Sequence, residues 1–287
     1  MVEVGLGGRL DSTNVIPAPE AAVITNIGLE HTAILGSTLA AIAAEKSGIL
    51  KPGCRAVLYG QSREVGEIVA RACVEKNIPL TVTDDSQLTL LSSGLDGQRF
   101  TYRGSAPLLL PLLGDYQLRN AMTVLDTVDA LRAQGWNISA DAVAHGLAAA
   151  RWPGRLELVH RRPDLIIDGG HNPQCAQALA ASLRGLYGGK KLIFLIGVLA
   201  DKDWQSMVGE VLPLAKAIVT VRPESDRAKD ENELAAWVRA QGVPAEAHAS
   251  IGEALDAALA LAGPEDAVCA WGSLYSVGEL RHCLGLC

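Results

Sequence analysis

Glu3-Val-Gly-Leu-Gly-Gly-Arg-Leu-Asp11-Ser-Thr-Asn14 gathers a carboxylate, three glycines and a polar cluster at the start of the chain. Glycines let the backbone approach a ligand closely, and Arg9, Asp11, Thr13 and Asn14 supply donors and acceptors around it. Ile27-Gly-Leu-Glu-His31-Thr follows an apolar run that reads as a buried strand. Ligands of α/β proteins collect at the carboxyl ends of strands, so His31 either coordinates a metal or polarises a phosphate, or is an ordinary loop residue. Lys46, in Ala44-Glu-Lys-Ser-Gly48, shares a helix face with Leu39, Ile42 and Ala43. A lysine there is accounted for by snorkelling near a helix C-terminus, where the macrodipole favours a cation. Asn120, in Gly114-Asp-Tyr-Gln117-Leu-Arg-Asn120, reads on its own as a residue opening and capping a helix. Arg155 follows Pro-Gly, and thirteen residues on comes Asp168-Gly-Gly-His171-Asn-Pro173. Asn172 as N-cap and Pro173 as first helical residue would start a helix unaided. A strand ending in Asp, two glycines and a His before a helix N-terminus also makes an anion-tolerant pocket. Trp271-Gly-Ser273-Leu-Tyr275 ends the last strand, with Ser273 either a cap or a ligand contact.

In order and spacing, these segments resemble the signatures of the folylpolyglutamate synthase/dihydrofolate synthase family, a branch of the Mur ligases, over nearly the whole chain. Tyr116 stands where the family has His, and Gly170 where it has Ala. The resemblance implies that Glu3 and His31 hold a magnesium ion, and that Lys46 is carbamylated to join them. Magnesium prefers hard oxygen ligands and substrate phosphates, which suits Glu3 and makes imidazole a less usual partner. The apolar face suits carbamylation, because desolvation favours a neutral amine. By the same resemblance Asn120, Arg155, Asp168 and His171 bind ATP, Leu10-Asp11-Ser12 touches the pterin substrate, and Ser273 lies near the incoming glutamate. Lys46, His31 and Arg155 would carry catalysis. The implied reaction is ATP-dependent addition of L-glutamate to dihydropteroate or to a tetrahydrofolate through an acyl phosphate, in two domains that close on the substrates. A Gly-x-x-x-x-Gly-Lys-Ser-like phosphate loop is absent, Gly188-Gly-Lys-Lys191 being the nearest string. The chain is therefore expected to be the central-to-C-terminal part of such a ligase, inactive alone and a monomer when full length. Two other readings stand beside this one. A ligase joining amino acids to a cell-wall nucleotide precursor is disfavoured by Gly-Leu-Gly-Gly-Arg-Leu-Asp, and a non-catalytic nucleotide-binding remnant is favoured by the missing loop.

These residues need an α/β frame. Strands are predicted at 21–27 and 55–59, helices at 38–46 and 64–76, a hairpin over 88–103 around Asp96-Gly97, and helices at 117–133 and 140–150. After Trp152-Pro-Gly-Arg155 the rhythm is cleaner. Strands at 165–168, 192–197, 217–221 and 267–271 alternate with helices at 173–186, 204–212, 231–241 and 252–262, which predicts a mainly parallel, Rossmann-like sheet. The expected domains are 1–152, the later part of a Mur-type central ATPase domain, and 153–287, its Rossmann-like C-terminal domain. Met1 and Val2 are expected to form the end of a strand leading into Glu3.

Composition narrows the function. With 49 % apolar and 20 % charged residues the chain is that of a globular protein. A net charge of −7 without a Lys/Arg cluster disfavours a nucleic-acid surface. No apolar run approaches the ~18 residues of a membrane span; Leu192 to Ala200 reads as a buried strand and Leu108 to Leu113 as a buried loop. With no secretory leader evident, the six cysteines (54, 73, 175, 269, 283, 287) read as free thiols of a cytoplasmic protein.

Overall fold

In a computed structural model the described residues are 1–286; Cys287, the sixth of the expected free thiols, lies outside them. Two compact units emerge: Met1–Ser92 with Gln98–Leu110 and Tyr116–Ala149, and Ser93–Gly97 with Pro111–Asp115 and the chain from Ala150 onward.

The first unit contains β1 (Ala21–Ile24), α1 (Thr32–Leu35), α2 (Leu39–Lys46), β2 (Arg55–Leu58), α3 (Arg63–Glu75), β3 (Leu80–Val82), β4 (Leu88–Gly94), β5 (Gly97–Tyr102), β6 (Leu108–Leu110), most of α4 (Asp115–Ala133), and α5 (Ala140–Ala148). β1, β2 and β3 form a parallel sheet in that order, with Ile24 opposite Leu58 and Leu58 opposite Val82. α3 shows how local chemistry sets the frame. Ser62 caps it by accepting from Val65 N, and Val65, Val69 and Cys73 bury one face at intervals of four. Asn77, at φ 52°, ends it: Ile78 N returns to Cys73 O at 2.8 Å and Asn77 N to Val74 O at 3.1 Å. β4, β5 and β6 make a second small sheet. The expected loop at 108–113 thus begins as a strand, because Leu108 and Leu110 bury alternate positions while β6 pairs with β5. No strand forms over Met1–Val4, which is irregular and mostly exposed, so the expected strand entering Glu3 is corrected.

The second unit contains β7 (Glu157–His160), β8 (Asp164–Asp168), α6 (Pro173–Tyr187), β9 (Leu192–Ile196), α7 (Trp204–Val211), β10 (Ala215–Val221), α8 (Glu231–Ala240), β11 (Ala245–His248), α9 (Ile251–Ala260), β12 (Ala267–Trp271) and α10 (Leu274–Cys283). The sheet order is β11-β10-β9-β12-β8-β7, parallel throughout except for β7. Alternation along each strand feeds two cores. Phe194, Ile196, Ile218 and Trp271 pack with α6, α7 and α8, whereas Ile193, Leu195, Val219 and Val268 pack with α9 and α10. The α/β class and the mainly parallel second sheet are as the sequence predicts. Among the described residues no helix is long and apolar enough to cross a membrane, and Cys54, Cys73, Cys175, Cys269 and Cys283 are free thiols.

Candidate functional site

In the first unit, two segments singled out in the sequence meet through their backbones, and a third joins them through a side chain. Arg9 N donates to Glu45 O at 3.1 Å, joining the glycine loop to the end of α2. A Cβ on Gly8 would lie 2.9 Å from Glu45 O and 3.0 Å from Lys46 O, and one on Gly48 would lie 2.5 Å from Arg9 Cα. Only glycine allows these approaches, which explains its presence on both sides of the contact. Asn14 Nδ2 ties the same junction by donating to Arg9 O at 3.1 Å and Gly48 O at 3.2 Å. Leu35, the last residue of α1, packs against Gly7, so the short helix that follows His31 joins the cluster. His31 itself is exposed and sits at φ 52°, a left-handed conformation that is uncommon outside glycine and recurs at functional sites. Glu3 is exposed, and Lys46 is half-buried at the C-terminus of α2 beyond the buried Ile42 and Ala43.

Asp11 has a second role that its sequence position conceals. Its carboxylate accepts from Leu6 N at 2.9 Å, Thr13 N at 2.9 Å and Thr13 Oγ1 at 2.6 Å, so it organises its own loop. The Thr13 hydroxyl first, then the two backbone N–H groups, hold its pKa down at about 2. A carboxylate with a depressed native pKa stabilises the fold above its unfolded value, 3.8, and loses that contribution as pH falls toward about 2. The Leu6 and Thr13 amides are therefore expected to lose hydrogen-exchange protection across that window, and Asp11→Asn to remove the pH dependence. Protection unchanged between pH 5 and pH 2 would contradict this role. Leu10 and Ser12, on either side, are exposed. Asn120 lies inside α4 rather than opening it, and its Nδ2 donates to Gln117 Oε1 at 2.9 Å; the expectation of a cap is corrected.

The second unit builds its site at the carboxyl ends of β8 and β12, where Asp168 and Trp271 are paired. Asp168 is 4 % exposed; its Oδ1 accepts from Gly170 N at 2.7 Å and its Oδ2 from Leu156 N at 2.9 Å. Burial pushes its pKa up, and the two N–H groups, Arg155 and His171 pull against that shift. Gly169 N donates to Gly154 O at 2.7 Å, so the Asp168 and Arg155 turns are sewn together. The Arg155 guanidinium lies 5.2 Å above the Trp152 ring. His171 Nδ1 faces Gly169 O at 3.1 Å; a carbonyl only accepts, so Nδ1 is the donor of this bond. Asn172 caps α6 through Cys175 N at 2.7 Å, and Pro173 follows as first helical residue. Ser273 is a buried N-cap of α10, accepting from Tyr275 N at 3.1 Å. Sequence reasoning missed Glu157 and Arg281, whose ion pair is described below; they stand 124 positions apart, and no local pattern links them.

No group of three or more His, Cys, Asp or Glu residues is placed to hold a metal among the described residues. The Glu3 carboxylate suits magnesium, which is commonly held by one or two carboxylates plus substrate phosphates rather than by an all-protein cage, whereas the His31 imidazole is a less usual partner for it.

Residues 154–274 match the family described as Mur ligase, glutamate ligase domain. The dihydrofolate synthase/folylpolyglutamate synthase of Mycobacterium tuberculosis is 36 % identical over 249 residues, 82 % of this chain and 51 % of that protein. The crystal structure of the folylpolyglutamate synthase from that organism complexed with ADP and AMPPCP superimposes with a TM-score of 0.84 at 31 % identity, covering 98 % of this chain and 67 % of the other. Escherichia coli FolC in complex with DHPP and ADP gives a TM-score of 0.81 at 29 % identity, covering 98 % and 65 %. The chain spans about half the length of the curated relatives it matches. It belongs to the folylpolyglutamate synthase/dihydrofolate synthase family of Mur ligases.

Proposed function

We propose that this chain supplies the later part of a cytoplasmic, ATP-dependent ligase that adds L-glutamate to dihydropteroate, to a tetrahydrofolate, or to both. The observation that carries the reading is the buried Asp168 at the end of β8, which accepts from Gly170 N in its own turn and from Leu156 N in the Arg155 turn, while the Arg155 guanidinium rests over Trp152. A strand end of this kind, followed by the N-terminus of α6, suits a nucleotide phosphate. Complexes of the relatives with ADP, AMPPCP and DHPP support that reading.

In the proposed reaction a substrate carboxylate oxygen attacks the γ-phosphorus of ATP, the bond to ADP breaks, and an acyl phosphate forms. The amine of glutamate then attacks the acyl carbon; phosphate leaves with the bonding electrons, and the nitrogen gives up a proton. Arg155 offsets charge developing on the transferred phosphoryl group, Asn120 and His171 orient the nucleotide, and Ser273 faces the glutamate. Glu3, His31 and a carbamylated Lys46 would hold magnesium, which when bound supplies positive charge to the phosphate oxygens. Leu10-Asp11-Ser12 would contact the pterin, with Asp11 shaping the loop as well as lining it. The full-length enzyme would work as a monomer.

The test is incorporation of labelled glutamate into dihydropteroate or tetrahydrofolate with ATP and magnesium. The chain extended with the N-terminal third of its M. tuberculosis relative is expected to turn over within the ordinary enzyme range, ~1–10³ per second. The 287-residue polypeptide alone, without a phosphate loop in its sequence, is expected to show none. A folded extended chain that incorporates no glutamate would overturn the reading, and turnover by the unextended polypeptide would overturn its fragment status.

A further inference from the structure

We infer that Glu157 is a positioning residue for Arg155, acting with Arg281 as a carboxylate brace beneath the Pro153-Gly154-Arg155 turn; the inference rests on reading Arg155 as the cation that meets the nucleotide phosphates. Glu157 opens β7, and its Oε2 accepts from Gly154 N at 2.7 Å. The same oxygen pairs with Arg281 Nη1 from the last turn of α10, while Arg281 Nη2 donates to Leu286 O at 2.7 Å. The two side chains are only 27 % and 17 % exposed, so the pair is better shielded than a surface salt bridge.

The backbone around Arg155 needs such a brace. Gly154 lies at φ 70° and Leu156 at φ 45°, so Arg155 stands between two residues in the left-handed region, one of them a branched leucine that rarely adopts it. Such conformations persist where the surroundings over-determine them. Here the peptide groups on both sides are fixed: Gly154 N by Glu157, Gly154 O by Gly169 N, and Leu156 N by Asp168. A Cβ on Gly154 would stand 2.8 Å from Val277 Cγ1, so α10 underlies the turn as well as supplying Arg281. The Arg155 side chain itself rests over Trp152. Asp168 secures the turn from its C-terminal side, and Glu157 from its N-terminal side. Loss of the Glu157 carboxylate releases Gly154 N and frees the turn to rotate, carrying the guanidinium with it.

The experiment is a double-mutant cycle on the 287-residue chain, read in two ways. ADP affinity is measured by calorimetry for the wild type, Glu157→Ala, Arg155→Ala and the double variant. The Arg155 Nε–Hε and Trp152 indole resonances are followed by NMR without nucleotide. Glu157→Ala is expected to weaken ADP about tenfold, the size of coupling found between residues of one network, and to add almost nothing once Arg155 is gone. It should also displace both resonances, while Glu157→Gln, which keeps an oxygen to accept from Gly154 N, restores most of the affinity and both signals. Should Glu157→Ala fail to fold, Arg281→Met removes the partner without touching the turn and is expected to give the same pattern at smaller amplitude. Losses that add in full, or resonances that stay in place in Glu157→Ala, would overturn the brace. If wild type and Arg155→Ala bind ADP alike, the nucleotide role of Arg155 fails; in that case, and equally if neither binds ADP, the resonances alone decide whether Glu157 positions Arg155.

Discussion

Asp168→Ala is expected to destabilise the second unit by about 2–3 kcal/mol, the cost of stranding two buried donors less the relief of a buried charge. The donors are Leu156 N and Gly170 N, and the charge is a carboxylate only 4 % exposed. Asp168→Asn keeps one accepting oxygen but turns an amide N–H₂ toward the other donor, so its cost near neutral pH should be smaller. The pH dependence separates these contributions. Burial raises the native pKa of Asp168 above 3.8, so between that value and the raised one the native state holds more protons than the unfolded chain. Stability therefore falls as pH rises through the window. Asn does not titrate there, so the free-energy difference between Asp168→Asn and wild type should move in favour of the variant from about pH 4 upward. Urea unfolding followed by tryptophan fluorescence at several pH values measures it. A difference that stays constant with pH, or that favours the wild type increasingly as pH rises, would show that the charged form of Asp168 is not penalised in the folded protein.

Much of the frame that holds this residue was legible in the sequence because local chemistry decides it. Asn172 and Pro173 begin α6 where cap and first-turn preferences place them, and Leu192–Ile196 and Ala267–Trp271 are apolar on both faces, as strands of a covered parallel sheet must be. β7 and β11 escaped because Glu157-Leu-Val-His and Ala245-Glu-Ala-His are short, half-buried and without an apolar run. Each lies at an edge of the sheet, where pairing on a single side is enough. The fine structure of the site was less accessible still. No residue type announces that Leu156 will take a positive φ, or that Asp168 twelve positions later will hold its N–H. Asp11 shows the limit from the other direction. The family resemblance implies substrate contact for this acid, and nothing in the residue types shows that its oxygens also accept from Leu6 and Thr13 and so hold the loop together. The Glu3 loop was expected to leave a strand; instead Gly8 and Gly48 seat it on α2 by contacts that depend on the absence of side chains. A glycine's role of that kind becomes visible only once its neighbour is known.

Lys46 should carry the largest catalytic effect. It ends α2 half-buried, beside the backbone junction that joins the glycine loop to the α2 terminus. In the proposed chemistry its neutral amine attacks carbon dioxide, forms an N–C bond and sheds a proton, which turns a cation that would repel magnesium into a carboxylate that suits it. In the chain extended with the N-terminal third of its relative, Lys46→Ala is then expected to lower glutamate incorporation by about 10³-fold, comparable to removing a main electrostatic contributor to a transition state. A short carboxylic acid such as formate or acetate should restore part of the rate by standing where the carbamate stood. Lys46→Arg should stay inactive and resist rescue, because the guanidinium keeps the wrong sign of charge and fills the space. Acid rescue distinguishes chemistry from folding, since a misfolded variant gains nothing from acetate. The bland alternative makes the opposite prediction: a lysine that merely snorkels at a helix end tolerates arginine, which completes the same macrodipole interaction, and leaves the rate within a few-fold of wild type. Full activity in Lys46→Arg would therefore remove the carbamate from the mechanism and leave Arg155 as the principal cation of the proposed site.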